Sequence, residues 1–135
     1  MKRTPLKRTS GLKRTTPIKR SGLRPGRRVH PDREGKVAFQ RAAQQQLACM
    51  NPQCPNPAAP FNAHHVVYAQ HVRREGGDVF DPRNVMRLCT ECHDRYHGNR
   101  SLIPAEVLPP AAVAFAVELL GRERAAAYLA RYYPA

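Results

Sequence analysis

The chain has 135 residues, 41% of them hydrophobic, and a formal charge of +13. That is room for one small domain, and the Leu, Ile, Val and Phe content is modest for a self-sufficient core, so a metal staple is expected. No apolar run is long enough to span a membrane and no apolar stretch follows the basic N-terminus, which argues against a membrane or secretory class and for an intracellular one. In a reducing compartment, four cysteines in two close pairs are better explained by zinc than by disulfides.

Residues 1–28 hold eleven basic side chains and no acidic one, which leaves +2 for the rest. Leu6-Lys7-Arg8-Thr9, Leu12-Lys13-Arg14-Thr15 and Ile18-Lys19-Arg20-Ser21 repeat one unit, punctuated by Pro or Gly. Such units are too short and too charged to bury a face, and Pro5, Pro17 and Pro25 interrupt any helix. The reading is a disordered basic tail. Lys7, Arg8, Lys13, Arg14, Lys19 and Arg20 would release counterions from a nucleic acid, with affinity but no sequence choice. The plainer alternative is a solubilising or targeting tail.

Over residues 29–48 the pattern predicts a packing helix, with Pro31 at its first position, Asp32 and Glu34 in its first turn and Val37, Ala38, Phe39, Ala42, Ala43 and Leu47 as its apolar residues. Cys49-Met50-Asn51-Pro52-Gln53-Cys54, followed by Pro55, Pro57 and Pro60, predicts a turn-rich knuckle. The β-branched run around Ala63-His64-His65-Val66-Val67-Tyr68 predicts a short strand. His71, Arg73 and Arg74 fall in the loop that follows, and a second helix is expected over Glu91 to His97. From residue 99 to 135, Pro109-Pro110 opens an alanine-rich helical segment. Gly121 either ends that helix or bends it, and Tyr132 and Tyr133 are read first as packing residues and second as stacking groups.

Two ligand sets emerge. Cys49, Cys54, Cys89 and Cys92 form a four-thiolate set with short spacing within each pair, the usual way to build a closed tetrahedral zinc site. The plain alternative is four reduced core cysteines. His93 and His97 are spaced four apart and share a helix face, so they can hold one ion.

Residues 49–97 resemble the HNH endonuclease family, in the branch that carries a four-cysteine zinc knuckle. The resemblance rests on His65 on the first strand, Asn84 before the second and His93 in the helix, with the four cysteines, Gly76-Gly77 and Asp81-x-x-Asn84 in support. It implies a small α+β fold: a ββα-metal, treble-clef-like core stapled by structural Zn²⁺ and flanked by helices. It also implies His65 as general base, Asn84 as a brace for the loop carrying that base, and His64, His93 and His97 as ligands of one catalytic divalent cation. With no acidic ligand on the first strand (position 63 is Ala), that cation is Mg²⁺, Mn²⁺, Ni²⁺ or Zn²⁺. Neighbouring strand residues face opposite ways, so His64 and His65 can serve one phosphate only through an irregular hairpin or at a sheet edge. An irregular hairpin is expected.

The functional expectation is a metal-dependent endonuclease that nicks or cleaves DNA. Arg73, Arg74, Arg87 and Arg95 are candidate phosphate contacts. His71 is read equally as a solvated loop residue, and His30 as incidental. The alternatives are a noncatalytic zinc-binding nucleic-acid adaptor and a protein in which only the zinc is structural. The basic N-terminus resembles small HNH proteins carried by phages, implying a cytoplasmic location, in a host cell if phage-encoded. DNA is the expected partner, with a second copy of the chain or phage packaging and recombination proteins as further ones.

Overall fold

The computed structural model describes residues 32–99 and 103–134. The basic-tail expectations, Lys7, Arg8, Lys13, Arg14, Lys19 and Arg20 among them, lie outside these residues, as does Pro31. The described chain is small and α+β, with five α-helices and one two-stranded antiparallel sheet. In chain order it runs α1 (Asp32–Gln45), β1 (Phe61–His65), α2 (Ala69–Arg74), β2 (Val85–Cys89), α3 (Thr90–His97), a 3-10 turn (Ala105–Val107), α4 (Pro110–Leu120) and α5 (Arg122–Tyr132). None of the described helices is long and apolar enough to cross a membrane.

Helix α1 carries Asp32 and Glu34 in its first turn, where carboxylates offset the helix dipole, and buries Phe39 and Ala43 one turn apart. These two pack with Val85 against one face of the sheet. The opposite face meets α3 and the C-terminal helices in the larger core, which includes Val66, Val67, Met86, Leu88, Ile103 and Phe115.

The strands pair residue for residue from Phe61 with Cys89 to His65 with Val85. This regular register corrects the expected irregular hairpin, because a bulge would set two residues against one. The strand also starts earlier and ends earlier than its β-branched run suggests. Val66 and Val67 leave it because Asn84 takes over their main-chain bonding.

The outer edge of β2 is covered without a third strand. Gln46 donates its Nε2 to the Val85 carbonyl (3.0 Å) and accepts the Arg87 N–H at its Oε1 (2.7 Å). The Met50 N–H donates to the Arg87 carbonyl at 2.8 Å. Capping one edge in this way leaves β1, among the described residues, as the edge with no further strand beside it.

Residues His71, Arg73 and Arg74, expected in a loop, lie on helix α2. The chain leaves that helix through Gly76 at φ +74°, a left-handed conformation that favours glycine. Gly121, at φ 81° and ψ 155°, separates α4 from α5, so the segment is two helices rather than one bent helix. Tyrosines tie these helices to the strand exit. Tyr133 donates to the Val66 carbonyl (2.8 Å), and the Tyr128 hydroxyl accepts the Tyr68 N–H (3.0 Å). Tyr133 is fully buried, in keeping with the packing role read for it.

Candidate metal and histidine sites

The proline-rich knuckle and the end of β2 bring all four cysteines together, with their Sγ atoms within 4.8 Å of one another. Cys54 and Cys89 are 3.6 Å apart. Thiolates arranged tetrahedrally at a Zn–S distance of about 2.3 Å stand roughly 3.8 Å apart, so the donor set fits one such ion after small side-chain adjustments. Main-chain and side-chain donors already point at the sulfurs. The Cys89 N–H donates to Cys49 Sγ (3.3 Å), the Cys92 N–H to Cys89 Sγ (3.4 Å) and Asn51 Nδ2 to Cys92 Sγ (3.2 Å). Burial and neighbouring sulfurs push the Cys92 thiol up, with the Asn51 bond opposing them. A bound cation reverses that tendency, since it holds thiolates rather than thiols.

The second cluster sits across the sheet's other face. His64 on β1 meets His93 and His97 on α3, the three offering ring nitrogens within 4.8 Å of one another. Ring centroids are separated by 5.4 Å (His64 to His93), 5.1 Å (His64 to His97) and 4.5 Å (His93 to His97). His64 is 3% exposed, and its Nε2 and the His93 Nδ1 are buried without a hydrogen-bond partner among the described residues. Buried imidazole nitrogens are normally satisfied; His64 Nε2 is not, and His93 Nδ1 has the Asp94 carboxylate only at 3.6 Å, which suits the pair to a cation's ligand set. Neutral imidazoles are the form that ligates, and burial, then the charges of His97, His93 and His65, lower His64 to about 3.

The same shift has a consequence for stability. Below pH 6.5 the unfolded chain takes up a proton that folded His64 refuses, so its contribution is complete above pH 6.5 and lost as the pH falls toward 3. Between pH 7 and 5 this costs about 2 kcal/mol. Urea unfolding of the cysteine-metallated protein should show that loss, and His64→Gln should reduce it. An unchanged pH dependence in the variant would refute the assignment.

His65 lies on the opposite face of β1 from His64. Its ring stacks on Phe39 at 4.3 Å, and its Nε2–H donates to the Val79 carbonyl at 3.0 Å. A carbonyl only accepts, so this bond fixes the tautomer and leaves Nδ1 with the lone pair. Burial lowers the His65 pKa, against the Val79 bond and with help from Arg73. Although they face opposite ways, both histidines line one open cleft of about 350 Å³, shared with Ala63, Tyr68, Ala69, Gln70, His93 and His97. Three consecutive β1 residues in one lining put the cleft at that strand's outer edge, away from β2.

Asn84 is fully buried and clamps the strand exit. Its Oδ1 accepts the Val67 N–H (2.7 Å) and its Nδ2 donates to the Val67 carbonyl (2.8 Å). Asn84→Ala would strand both Val67 groups away from water, at about 1–3 kcal/mol each. Chemical denaturation should show a loss of several kcal/mol, whereas a loss under 1 kcal/mol would show that the clamp is dispensable.

The arginines divide. Arg73 and Arg74 are exposed on α2. Arg95 pairs with Glu91 one helical turn earlier. Arg87 is committed to structure, because its Nη1 donates to the Gln46 carbonyl (2.7 Å) and its guanidinium lies 4.3 Å from the Phe61 ring centroid. The sequence reading missed Gln46, Asn51 and Tyr68. Asn51-Pro52 signalled only a turn, and Gln46 ends a glutamine run with no visible partner.

No protein-family model, curated protein or solved structure matches this chain.

Proposed function

We propose that the protein is a metal-dependent endonuclease of the HNH type acting on DNA. The observation that carries this reading is the convergence of His64, His93 and His97, with the buried His64 Nε2 left without a partner among the described residues, on a cleft that His65 also lines. A purely structural zinc protein has use for the four cysteines but not for a second ligand set opening on solvent.

A divalent cation bound by His64, His93 and His97 would supply Lewis-acid stabilisation of charge on the scissile phosphate and the leaving 3′ oxygen. His65 supplies the base: its Nδ1 accepts a proton from the attacking water while Nε2 stays tied to Val79. With its pKa lowered by burial, the ring is neutral near pH 7 and able to accept that proton. Phe39 holds the ring plane, and Asn84 holds the main chain that leaves β1 just beyond it. The cysteine cluster fixes the end of β2 and the start of α3, from which His93 and His97 project.

Supercoiled-plasmid cleavage tests the reading. Nicking should require added Mg²⁺, Mn²⁺, Ni²⁺ or Zn²⁺ and fall at least about a hundredfold in His93→Ala at matched cysteine-bound metal. A protein that binds DNA but cuts no form of it with any of these ions is instead the noncatalytic adaptor.

A further inference from the structure

A second groove, of about 260 Å³, lies between α2 and α5 and is lined in part by His71, Arg74, Arg124, Tyr128, Arg131 and Tyr132. Three arginines line it, and the carboxylate paired with them among the described residues is that of Glu75. Glu75 is engaged by Arg124, and its nearest oxygen to Arg74 is 3.8 Å away. Arg131 pairs with no carboxylate among the described residues. Its guanidinium lies 5.4 Å from the Tyr132 ring centroid. The groove therefore carries a surplus of about two positive charges in a walled site, where field lines concentrate on an anion.

Its cations are held in place rather than free to wander. Arg74 donates to His71 Nδ1 at 2.8 Å, which draws its guanidinium over the groove, and Tyr132 packs against Tyr128 at 4.6 Å beneath Arg131. Tyr68 connects this groove to the histidine cleft. It lines that cleft, and its ring centroid is 5.0 Å from that of Tyr132 and 6.5 Å from that of His71. An anion in the groove is thus one aromatic ring away from the space beside His64, His93 and His97. A nucleic acid strand offers successive phosphates at short intervals, whereas an isolated small anion uses only one of the two sites.

We propose that the α2–α5 groove is a phosphate track, in which Arg74 and Arg131 hold the backbone of the strand whose neighbouring phosphate enters the histidine cleft. This rests on the nuclease reading for the strand's destination but not for its binding. Arginine contacts to phosphate oxygens carry no base information, so this grip is sequence-independent.

The test compares the full-length wild type with Arg74→Gln/Arg131→Gln and with Arg33→Gln/Arg41→Gln, a control of equal charge loss on α1. Fluorescence anisotropy with a short labelled DNA, without added divalent ion, should show binding weakened about tenfold in the first variant. The slope of log affinity against log salt should fall by about 2, as expected for two lost phosphate contacts. An equal loss in the α1 control would make the effect one of overall charge and overturn the track, as would DNA binding unchanged in the first variant. Inorganic phosphate, titrated alone, distinguishes the other source. Tight phosphate binding abolished by the double substitution, with DNA affinity intact, would make the groove a small-anion site.

Hydrolysis of bis(p-nitrophenyl) phosphate, which reaches the cleft without the track, separates the two readings. The groove variant should retain it at the wild-type rate while its KM for DNA rises. Loss of that activity in the groove variant at matched metal content would mean that the arginines support the cleft itself and would overturn the track. If no form of the protein cleaves either plasmid DNA or the small diester, the nuclease reading fails while the binding comparison still stands.

Discussion

Cys89→Ser should abolish stoichiometric zinc binding and cooperative folding together. Cys89 sits where three parts of the molecule meet. It ends β2, its Sγ caps α3 by accepting the Cys92 N–H, and it lies 3.6 Å from the Cys54 sulfur of the knuckle. Structural zinc sites contribute on the order of 10 kcal/mol of apparent binding free energy, comparable with the whole stability of a small domain. The apolar core on its own has little to spare, because the chain between α1 and β1 is a proline-rich turn segment whose buried residues are Cys49 and Asn51. Elemental analysis should find one ion that resists mild chelation in the wild type and none in Cys89→Ser. Circular dichroism should show a cooperative thermal transition only in the former. A variant that melts cooperatively at the wild-type temperature without metal would show that the cluster is four reduced core thiols.

Replacing His65 should remove most of the proposed DNA cleavage, by about 10²–10⁴-fold in kcat, the usual contribution of a positioned general base. His65→Ala alone would be ambiguous, since it also deletes the ring stacked on Phe39 at 4.3 Å. His65→Phe keeps an aromatic ring, a larger one, in that stack and removes both nitrogens, the donor to Val79 included. Both variants should lose activity alike, with DNA affinity and cysteine-bound metal unchanged. The wild-type rate should stay nearly flat down through pH 6.5 and fall only in more acid solution, because burial places the His65 pKa under its ordinary value. Cleavage by His65→Phe within tenfold of wild type would exclude His65 as the base and move attention to a hydroxide held at the His64, His93 and His97 cluster.

Read by itself, the sequence determined the parts that depend on spacing along the chain. The paired cysteines and the four-residue step from His93 to His97 fix which groups share a turn or a helix face, and local geometry permits few other arrangements. The helix over Asp32–Gln45 was legible for a similar reason, since its acids and buried residues follow the helical period. The tertiary structure decided whatever depends on partners distant in the chain. The β1 strand stops at His65, despite the valines that follow, because Asn84 bonds Val67 from seventeen residues away. Residues 69–74 form a helix rather than a loop, with Val72 buried against the main core and Tyr128 bonded to the residue preceding the helix. His64 and His65 face opposite sides of a regular strand, so it is the outer edge of β1, rather than a distorted backbone, that lets them share a cleft. Arg87 and Arg95 look alike as letters, yet Gln46 and Phe61 hold one in the packing while the other pairs with Glu91 on the surface. The sequence lists the groups capable of chemistry; long-range hydrogen bonds and burial determine which of them are neutral, oriented and close enough to act together.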